Sequence, residues 1–308
     1  MPPVVEPPLE SPATLAEAFA LLAENAGEAA PDPAASGAVT SGPWRPLAGG
    51  TDLYVQMTGE LGPPPARLLD LWGLDELRGI RLDGGDLVLG ALTTYTEIRR
   101  SPLVREHVPA LAEAAATIGA AQIQNRGTIG GNAVNASPAG DTLPVLLATD
   151  AVLVAGGSRG ERPIPAGAFW PAYRTTALAP DELLLAIRIP LAAREVRFRK
   201  VGTRRAQAIS KVVLALAWRG GPAGASVPSG PWSDVRVALG SVAPTPIRAA
   251  GAEAVLEGAA PTPETADRAA EALAAELRPI DDVRSTADYR RTVAARVLHR
   301  LIREAGGW

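Results

Sequence analysis

Two glycine-rich segments contain residues whose types and spacing can bind an anion. The first is Leu47-Ala48-Gly49-Gly50-Thr51-Asp52-Leu53, and the second is Gly127-Thr128-Ile129-Gly130-Gly131-Asn132. A glycine pair lacks Cβ atoms and tolerates positive φ, so successive backbone N–H groups can converge on a phosphate. A single Gly-Gly is more often a plain turn. Two such segments, each with a threonine, an aliphatic residue and a polar terminus, predict two nests of N–H groups that close on one diphosphate.

In the first segment, we expect the amides of Gly49 and Gly50 to hold one phosphate. Thr51 adds a hydroxyl donor, and the side chain of Asp52 fixes the turn. The alternative is a strand-to-helix turn without a ligand. The Gly-x-Gly-x-x-Gly spacing of a Rossmann fold is missing, and so is the Gly-Lys-Ser/Thr of a phosphate-binding P-loop.

The second segment is followed by Ala136-Ser137-Pro138 and then by Asp141. Thr128, Gly130, Gly131 and Asn132 supply donors of the kind that a second phosphate or a ribose needs. Asp141 is an acceptor suited to the hydroxyls or ring N–H of a cofactor. On its own, Asp141 before Leu143-Pro144 is better explained as a helix N-cap.

The two segments together resemble the flavin-binding loops of a known family. AGGTDL at 48–53 and RGTIGGN with ASPAGD at 126–141 are similar to loops in the FAD-binding subunits of molybdenum hydroxylases. That family includes the medium subunit of carbon monoxide dehydrogenase and the middle domain of xanthine dehydrogenase. ALGSVAPTPIR at 238–248 resembles the start of the family's C-terminal domain. The resemblance extends from about Pro12 to Arg303.

The resemblance implies an α+β fold in two domains. Residues 1–193 would form a two-lobed FAD-binding domain of the vanillyl-alcohol-oxidase (PCMH-like) type. Residues 194–308 would form the small C-terminal domain, an antiparallel sheet with helices.

The resemblance also implies three cofactor contacts outside the loops. Ile118 matches a family position that faces the flavin. Leu185 matches a residue whose backbone approaches the cofactor, and Lys200 matches a lysine close to the isoalloxazine ring. Alternatively, Ile118 and Leu185 are ordinary residues of the hydrophobic core, and Lys200 lies at a solvated strand end. The predicted cofactor-binding residues are Leu47, Ala48, Gly49, Gly50, Thr51, Asp52, Leu53, Ile118, Thr128, Ile129, Gly130, Gly131, Asn132, Asp141, Leu185 and Lys200.

The function implied by the resemblance is electron transfer through FAD, with no catalytic side chain in this chain. A large subunit with a molybdopterin cofactor would oxidise the substrate. Two [2Fe–2S] clusters on a small subunit would pass the electrons to FAD, and NAD⁺, a quinone or oxygen would accept them. One alternative is a self-contained FAD-dependent NAD(P)H reductase of the same fold. Another is a binding protein that has lost the cofactor.

Composition limits the other possibilities. The 308 residues contain no cysteine and two histidines, so a Cys-ligated cluster or a histidine zinc site is not expected here. A net charge of −3 does not indicate the basic surface that binds nucleic acid. No apolar run approaches the ~20 residues of a membrane span. The N-terminus lacks the pattern of a signal peptide, so we expect a cytoplasmic protein.

The hydrophobic pattern predicts the elements that position these segments. Helices are expected at 11–24, 108–119, 144–149, 262–277 and 286–304, and a capping box is expected at Thr94 and Glu97. Strands are expected at 67–71, 151–155, 183–190, 196–200, 211–219 and 234–242, with a hairpin at 79–92. Residues 27–43 are expected to form a surface loop. Ile118 is placed on the buried face of the helix 108–119.

Overall fold

The computed structural model describes residues 7–27, 42–57, 64–204, 207–220 and 230–308. The predicted loop at 27–43 lies almost entirely outside them. Three sheets and surrounding helices confirm the α+β class. The helices are α1 (Leu15–Ala23), α2 (Leu53–Met57), α3 (Tyr95–Arg100), α4 (Pro102–His107), α5 (Pro109–Ala116), α6 (Ala121–Gln124), α7 (Ile129–Asn135), α8 (Leu143–Ala148), α9 (Ala166–Phe169), α10 (Ala250–Leu256), α11 (Pro263–Glu276) and α12 (Ala287–Gly306).

The first two sheets form the N-terminal part of the chain. The strands of the first sheet, in chain order, are β1 (Leu9–Glu10), β2 (Trp44–Leu47) and β3 (Arg67–Asp70), and both β1 and β2 pair in parallel with β3. The strands of the second sheet are β4 (Ile80–Asp83), β5 (Asp86–Gly90), β6 (Val152–Gly157), β7 (Gly160–Pro165) and β8 (Leu183–Pro190). This sheet is antiparallel, in the order β4-β5-β8-β6-β7.

The third sheet contains β9 (Glu195–Val201), β10 (Val212–Arg219), β11 (Ser233–Gly240) and β12 (Ile247–Arg248). It is antiparallel, in the order β12-β11-β10-β9. Together with α10, α11 and α12 it forms what we call the C-terminal unit. Of the helices that the structure describes, none combines the length and hydropathy that a bilayer span requires.

Strand β10 is buried on both faces, because successive side chains of a strand point to opposite sides. Val213, Ala215 and Ala217 belong to the core that also contains residues of α5 and α8. Val212, Leu214, Leu216 and Trp218 belong to the core under α10, α11 and α12. The third sheet is therefore a layer between the N-terminal part and the C-terminal helices.

Threonine caps set the starts of several helices. The predicted capping box is confirmed, since Thr94 accepts from the Glu97 N–H and Glu97 accepts from the Thr94 N–H. Helix α1 begins later than predicted, because Thr14 is its N-cap. Helix α5 ends at Ala116, so the prediction that Ile118 lies in this helix is wrong. The chain leaves the helical path at Thr117 and turns at Gly119, whose φ is +53°.

The two glycine-rich loops lie in backbone contact. The first follows β2, and a Cβ atom at Gly49 would overlap the carbonyl oxygen of Arg126 in the second. The second loop is fixed to the chain that follows β5. Its Gly127 carbonyl accepts from the Tyr95 N–H at 3.2 Å, and the Gly130 N–H donates to the Ala91 carbonyl at 2.9 Å. Only a residue without a side chain fits at Gly49.

We expect Gly49→Ala to destabilise the protein by about 3 kcal/mol, at the upper end of overpacking costs, because the two loops must separate. Gly73→Ala is the matched control. No atom lies within 4 Å of a Cβ atom at Gly73, and its φ is not positive. Its effect should stay within about 1 kcal/mol. Urea unfolding of both variants measures the difference, and equal losses would contradict the close approach of the loops.

Candidate functional site

A cavity of about 710 Å³ lies between the two glycine-rich loops. Its walls also include segments that the sequence did not mark. The predicted residues that line it are Ala48, Gly49, Gly50, Thr51, Asp52, Leu53, Thr128, Gly130, Gly131 and Asn132. The predicted residues that do not line it are Leu47, Ile118, Ile129, Asp141, Leu185 and Lys200. Further lining residues include Trp44, Arg45, Leu71, Leu77, Leu92, Tyr95, Asn135, Leu178, Glu182 and Leu183.

The first loop contains one glycine in the left-handed region, and the side chain of Asp52 hydrogen-bonds to Asn135 instead of fixing its own turn as the sequence had predicted. Gly50 has a φ of +77°, which favours glycine. Within the described residues, the N–H groups of Gly49, Gly50, Thr51 and Asp52 donate to no other protein group. Consecutive unbonded N–H groups at a cavity wall can bind an anion.

The second loop is not a nest, and that part of the prediction is wrong. Gly130 and Gly131 lie in the first turn of α7, and Thr128 is its N-cap. The Gly131 N–H donates to Thr128 Oγ1 at 3.0 Å, and the Asn132 N–H donates to the Thr128 carbonyl at 3.0 Å. The Ile129 N–H donates to the Thr93 carbonyl at 2.9 Å. These backbone donors are already used inside the protein.

The second loop offers side-chain donors instead. Asn132 Oδ1 accepts from the Thr142 hydroxyl at 2.6 Å, while its Nδ2 has no acceptor among the described residues. Arg45 lines the same cavity from β2, and within the described residues no carboxylate lies within salt-bridge distance of its guanidinium. An amide donor and a guanidinium complement the N–H groups of the first loop.

Asp141 lies beside the cavity in a buried polar cluster. Its Oδ2 accepts from Lys200 Nζ at 2.6 Å, and its Oδ1 accepts from the Ser210 hydroxyl. Lys200 Nζ also donates to the Thr117 carbonyl at 3.0 Å. Thr142, next to Asp141, binds the cavity residue Asn132. We call Thr117, Asp141, Lys200 and Ser210 the Asp141 cluster.

The two alternatives for Asp141 and Lys200 are wrong. Thr142 is the N-cap of α8, and it makes no side-chain cap bond. Lys200 is not a solvated strand end, because its side chain is 10% exposed. Phe198, two residues earlier on β9, faces the N-terminal core, and Lys200 shares that face. The register of the third sheet therefore directs Lys200 towards Asp141.

Burial raises the pKa of Asp141, because a carboxylate loses its hydration there. The charge of Lys200 is the largest opposing effect, followed by the hydrogen bonds from Lys200, Ser210 and Thr117. Burial also raises the pKa of Tyr95 far above its ordinary value, and the charges of Asp52 and Asp141 raise it further. Tyr95 therefore stays a neutral phenol on the cavity wall.

Ile118 and Leu185 lie near these groups without lining the cavity. The Ile118 carbonyl accepts from Gln124 Nε2 at 2.9 Å, and its side chain packs against the core. The side chain of Leu185 is buried, and its carbonyl accepts from the Ala91 N–H at 2.9 Å. The sequence missed Tyr95, Arg45 and Ser210. Only Tyr95 could have been found from the sequence, because it directly follows Thr94, the predicted start of a helix.

Two family models match the chain. Residues 8–192 match the FAD binding domain in molybdopterin dehydrogenase. Residues 197–305 match the CO dehydrogenase flavoprotein C-terminal domain.

Relatives and solved structures agree with these matches. The carbon monoxide dehydrogenase medium chain of Hydrogenophaga pseudoflava is 36% identical over 265 residues, which cover 84% of this chain and 88% of that protein. A putative xanthine dehydrogenase FAD-binding subunit of Escherichia coli is 31% identical over 300 residues, with 96% of both chains covered. The structure of carbon monoxide dehydrogenase from Hydrogenophaga pseudoflava superposes with a TM-score of 0.86 at 32% identity, covering 98% of this chain and 97% of that one.

We expect Lys200→Met to cost about 3 to 5 kcal/mol at neutral pH, because it leaves a buried carboxylate without its counter-charge. The folded-state pKa of Asp141, already raised by burial, then rises further. When the folded-state pKa of a carboxyl group is raised, the free energy of unfolding falls as pH rises towards that pKa. The stability lost in Lys200→Met should therefore be complete at about pH 8 and smaller at about pH 5.

The control for this prediction is Arg199→Met, on the neighbouring strand position. Arg199 pairs with Glu304 at 2.8 Å, and the two side chains are 46% and 38% exposed. Breaking such a surface pair should cost at most about 1 kcal/mol. Urea unfolding at both pH values compares the variants. A pH-independent loss, or one no larger than the control, would contradict the buried pair.

Proposed function

This chain belongs to the family of FAD-binding subunits of molybdenum hydroxylases, and we propose on that basis that it carries FAD and transfers electrons within such a complex. The family models confirm the resemblance drawn from the loops. They and the superposition confirm the α+β FAD-binding fold with its additional C-terminal region. We place the division between a domain of residues 1–193 and one of residues 194–308.

The cavity between the loops is the observation that supports this proposal. FAD contains a diphosphate between two ring systems. The first loop offers unbonded N–H groups at Gly49 and Gly50, Asn132 offers an amide donor, and Arg45 offers a positive charge. Apolar walls suited to a ring are formed by Trp44, Leu71, Leu77, Leu92 and Leu183. The residues present therefore fit FAD.

The chain's own residues would bind and orient the cofactor. The N–H groups of the first loop, Asn132 and Arg45 would hold the diphosphate. Lys200 does not line the cavity, and its Nζ already donates to Asp141 and Thr117, so it would act on the cofactor through its charge. The phenol of Tyr95 is a further donor at the wall between the cavity and the Asp141 cluster. When bound, FAD supplies the redox chemistry, since it accepts and releases electrons.

The proposed partners follow from the family. Relatives bear the names carbon monoxide dehydrogenase medium chain and nicotinate dehydrogenase FAD-subunit, which are names of single subunits. These names favour the subunit over the self-contained NAD(P)H reductase. We propose that a large subunit carries the molybdopterin cofactor and that a small subunit carries the iron–sulfur clusters. NAD⁺, a quinone or oxygen would receive the electrons.

Asn132→Asp tests the proposed site with little change in shape. Oδ1 can still accept from Thr142, but an oxygen replaces the Nδ2 donor and adds a negative charge beside the diphosphate. We expect the wild-type protein to show the absorption bands of bound oxidised FAD. The variant should bind FAD at least about tenfold more weakly, because like charges repel in a partly buried site.

Asn125→Asp is the matched control. Asn125 Oδ1 also accepts from a threonine hydroxyl, Thr96, at 2.6 Å, but Asn125 does not line the cavity. It should bind FAD as tightly as the wild type in a fluorescence titration. A folded wild-type protein that is colourless after incubation with excess FAD and removal of the unbound FAD would refute the proposed function. Equal effects of the two variants would refute the proposed position of the diphosphate.

A further inference from the structure

Ser210 is a buried hydroxyl of the C-terminal unit that reaches the N-terminal part of the chain. The residue is 1% exposed, and it precedes β10 by two positions. The Lys211 N–H donates to the Val201 carbonyl at 2.8 Å, and Val212 pairs with Val201 in the ladder between β9 and β10. The position of Ser210 is therefore fixed by the same ladder that carries Lys200.

The Ser210 hydroxyl donates to Asp141 Oδ1, while Lys200 donates to Oδ2. Within the described part of the chain, Oδ1 has no other hydrogen-bond donor. The Thr117 hydroxyl is 3.4 Å from Oδ2, and it donates to the Ala114 carbonyl at 2.8 Å. A buried carboxylate that loses its donor bears a large desolvation cost. Ser210 is thus the neutral group on which the orientation of Asp141 depends.

Two parts of the molecule meet in this contact. Asp141 and Thr117 precede the third sheet, whereas Lys200 and Ser210 belong to β9 and to the approach to β10. Each part contributes one charge of the buried pair and one hydroxyl of the cluster.

We propose that Ser210 is a positioning residue for the FAD site, which holds the Asp141 carboxylate against Lys200 so that the C-terminal unit sets the charge beside the cavity, next to Thr142 and Asn132. This inference rests on the proposed function. Without the hydroxyl, Asp141 either turns away or takes up a proton. The charge of Lys200 is then less compensated, which favours the reduced, more negative form of the cofactor.

Ser210→Ala is the direct test, with FAD affinity and midpoint potential as readouts. Because this hydrogen bond is internal to the protein, its loss acts on FAD only through the displaced Asp141 carboxylate, and FAD binding should weaken by about three- to tenfold. The midpoint potential of bound FAD should become more positive. Ser210→Thr, which keeps the hydroxyl, should restore the potential.

Ser241→Ala is the matched control, because Ser241 is also a buried serine of the C-terminal unit. Its hydroxyl has no partner within the described residues. This control should leave both readouts at the wild-type value.

A double-mutant cycle separates positioning from a general structural role. In an Asp141→Asn background, Ser210→Ala should change neither readout appreciably, because the carboxylate through which it acts is gone. Equal costs in both backgrounds would overturn the proposal. So would wild-type affinity and potential in Ser210→Ala. If the wild-type protein itself does not bind FAD, it is the proposed function that fails.

Discussion

The close approach of Gly49 to the Arg126 carbonyl is the constraint on which the site depends. It brings a loop of the parallel three-stranded sheet against a loop held by the chain after β5. Neither loop forms a cavity by itself. Because backbone meets backbone, the distance between the loops is set by van der Waals contact between main-chain atoms rather than by adjustable side chains. The cavity of about 710 Å³ is the space that this contact leaves.

A second constraint is the double burial of β10. Its alternating side chains belong to two different cores, so the third sheet cannot shift without disturbing both. That rigidity brings Lys200 and Ser210 to Asp141. The glycine-rich loops belong to the N-terminal part of the chain, while the Asp141 cluster beside the cavity is built from both parts. The C-terminal unit therefore contributes to the surroundings of the cavity.

The first loop and several helix starts could be predicted from the sequence, because the residue types alone determine which backbone conformation they favour. Gly49 and Gly50 marked a loop that only glycine can form, and Thr94 with Glu97 marked a helix start. The prediction of a second nest at Gly130 and Gly131 was wrong, because the sequence does not show which carbonyl groups accept from their N–H groups. Gly130 reaches the Ala91 carbonyl across a contact between distant segments. Ser210 was missed for a related reason, since its role arises from strand register.

Hydrogen–deuterium exchange with and without FAD tests the central claim most directly. The account predicts that FAD slows exchange in residues 48–53, whose N–H groups at Gly49 to Asp52 have no acceptor among the residues that the structure describes. Residues 129–132 should change much less, because their N–H groups are already hydrogen-bonded. Protection confined to 129–132, or none in either loop when FAD is bound, would contradict the account.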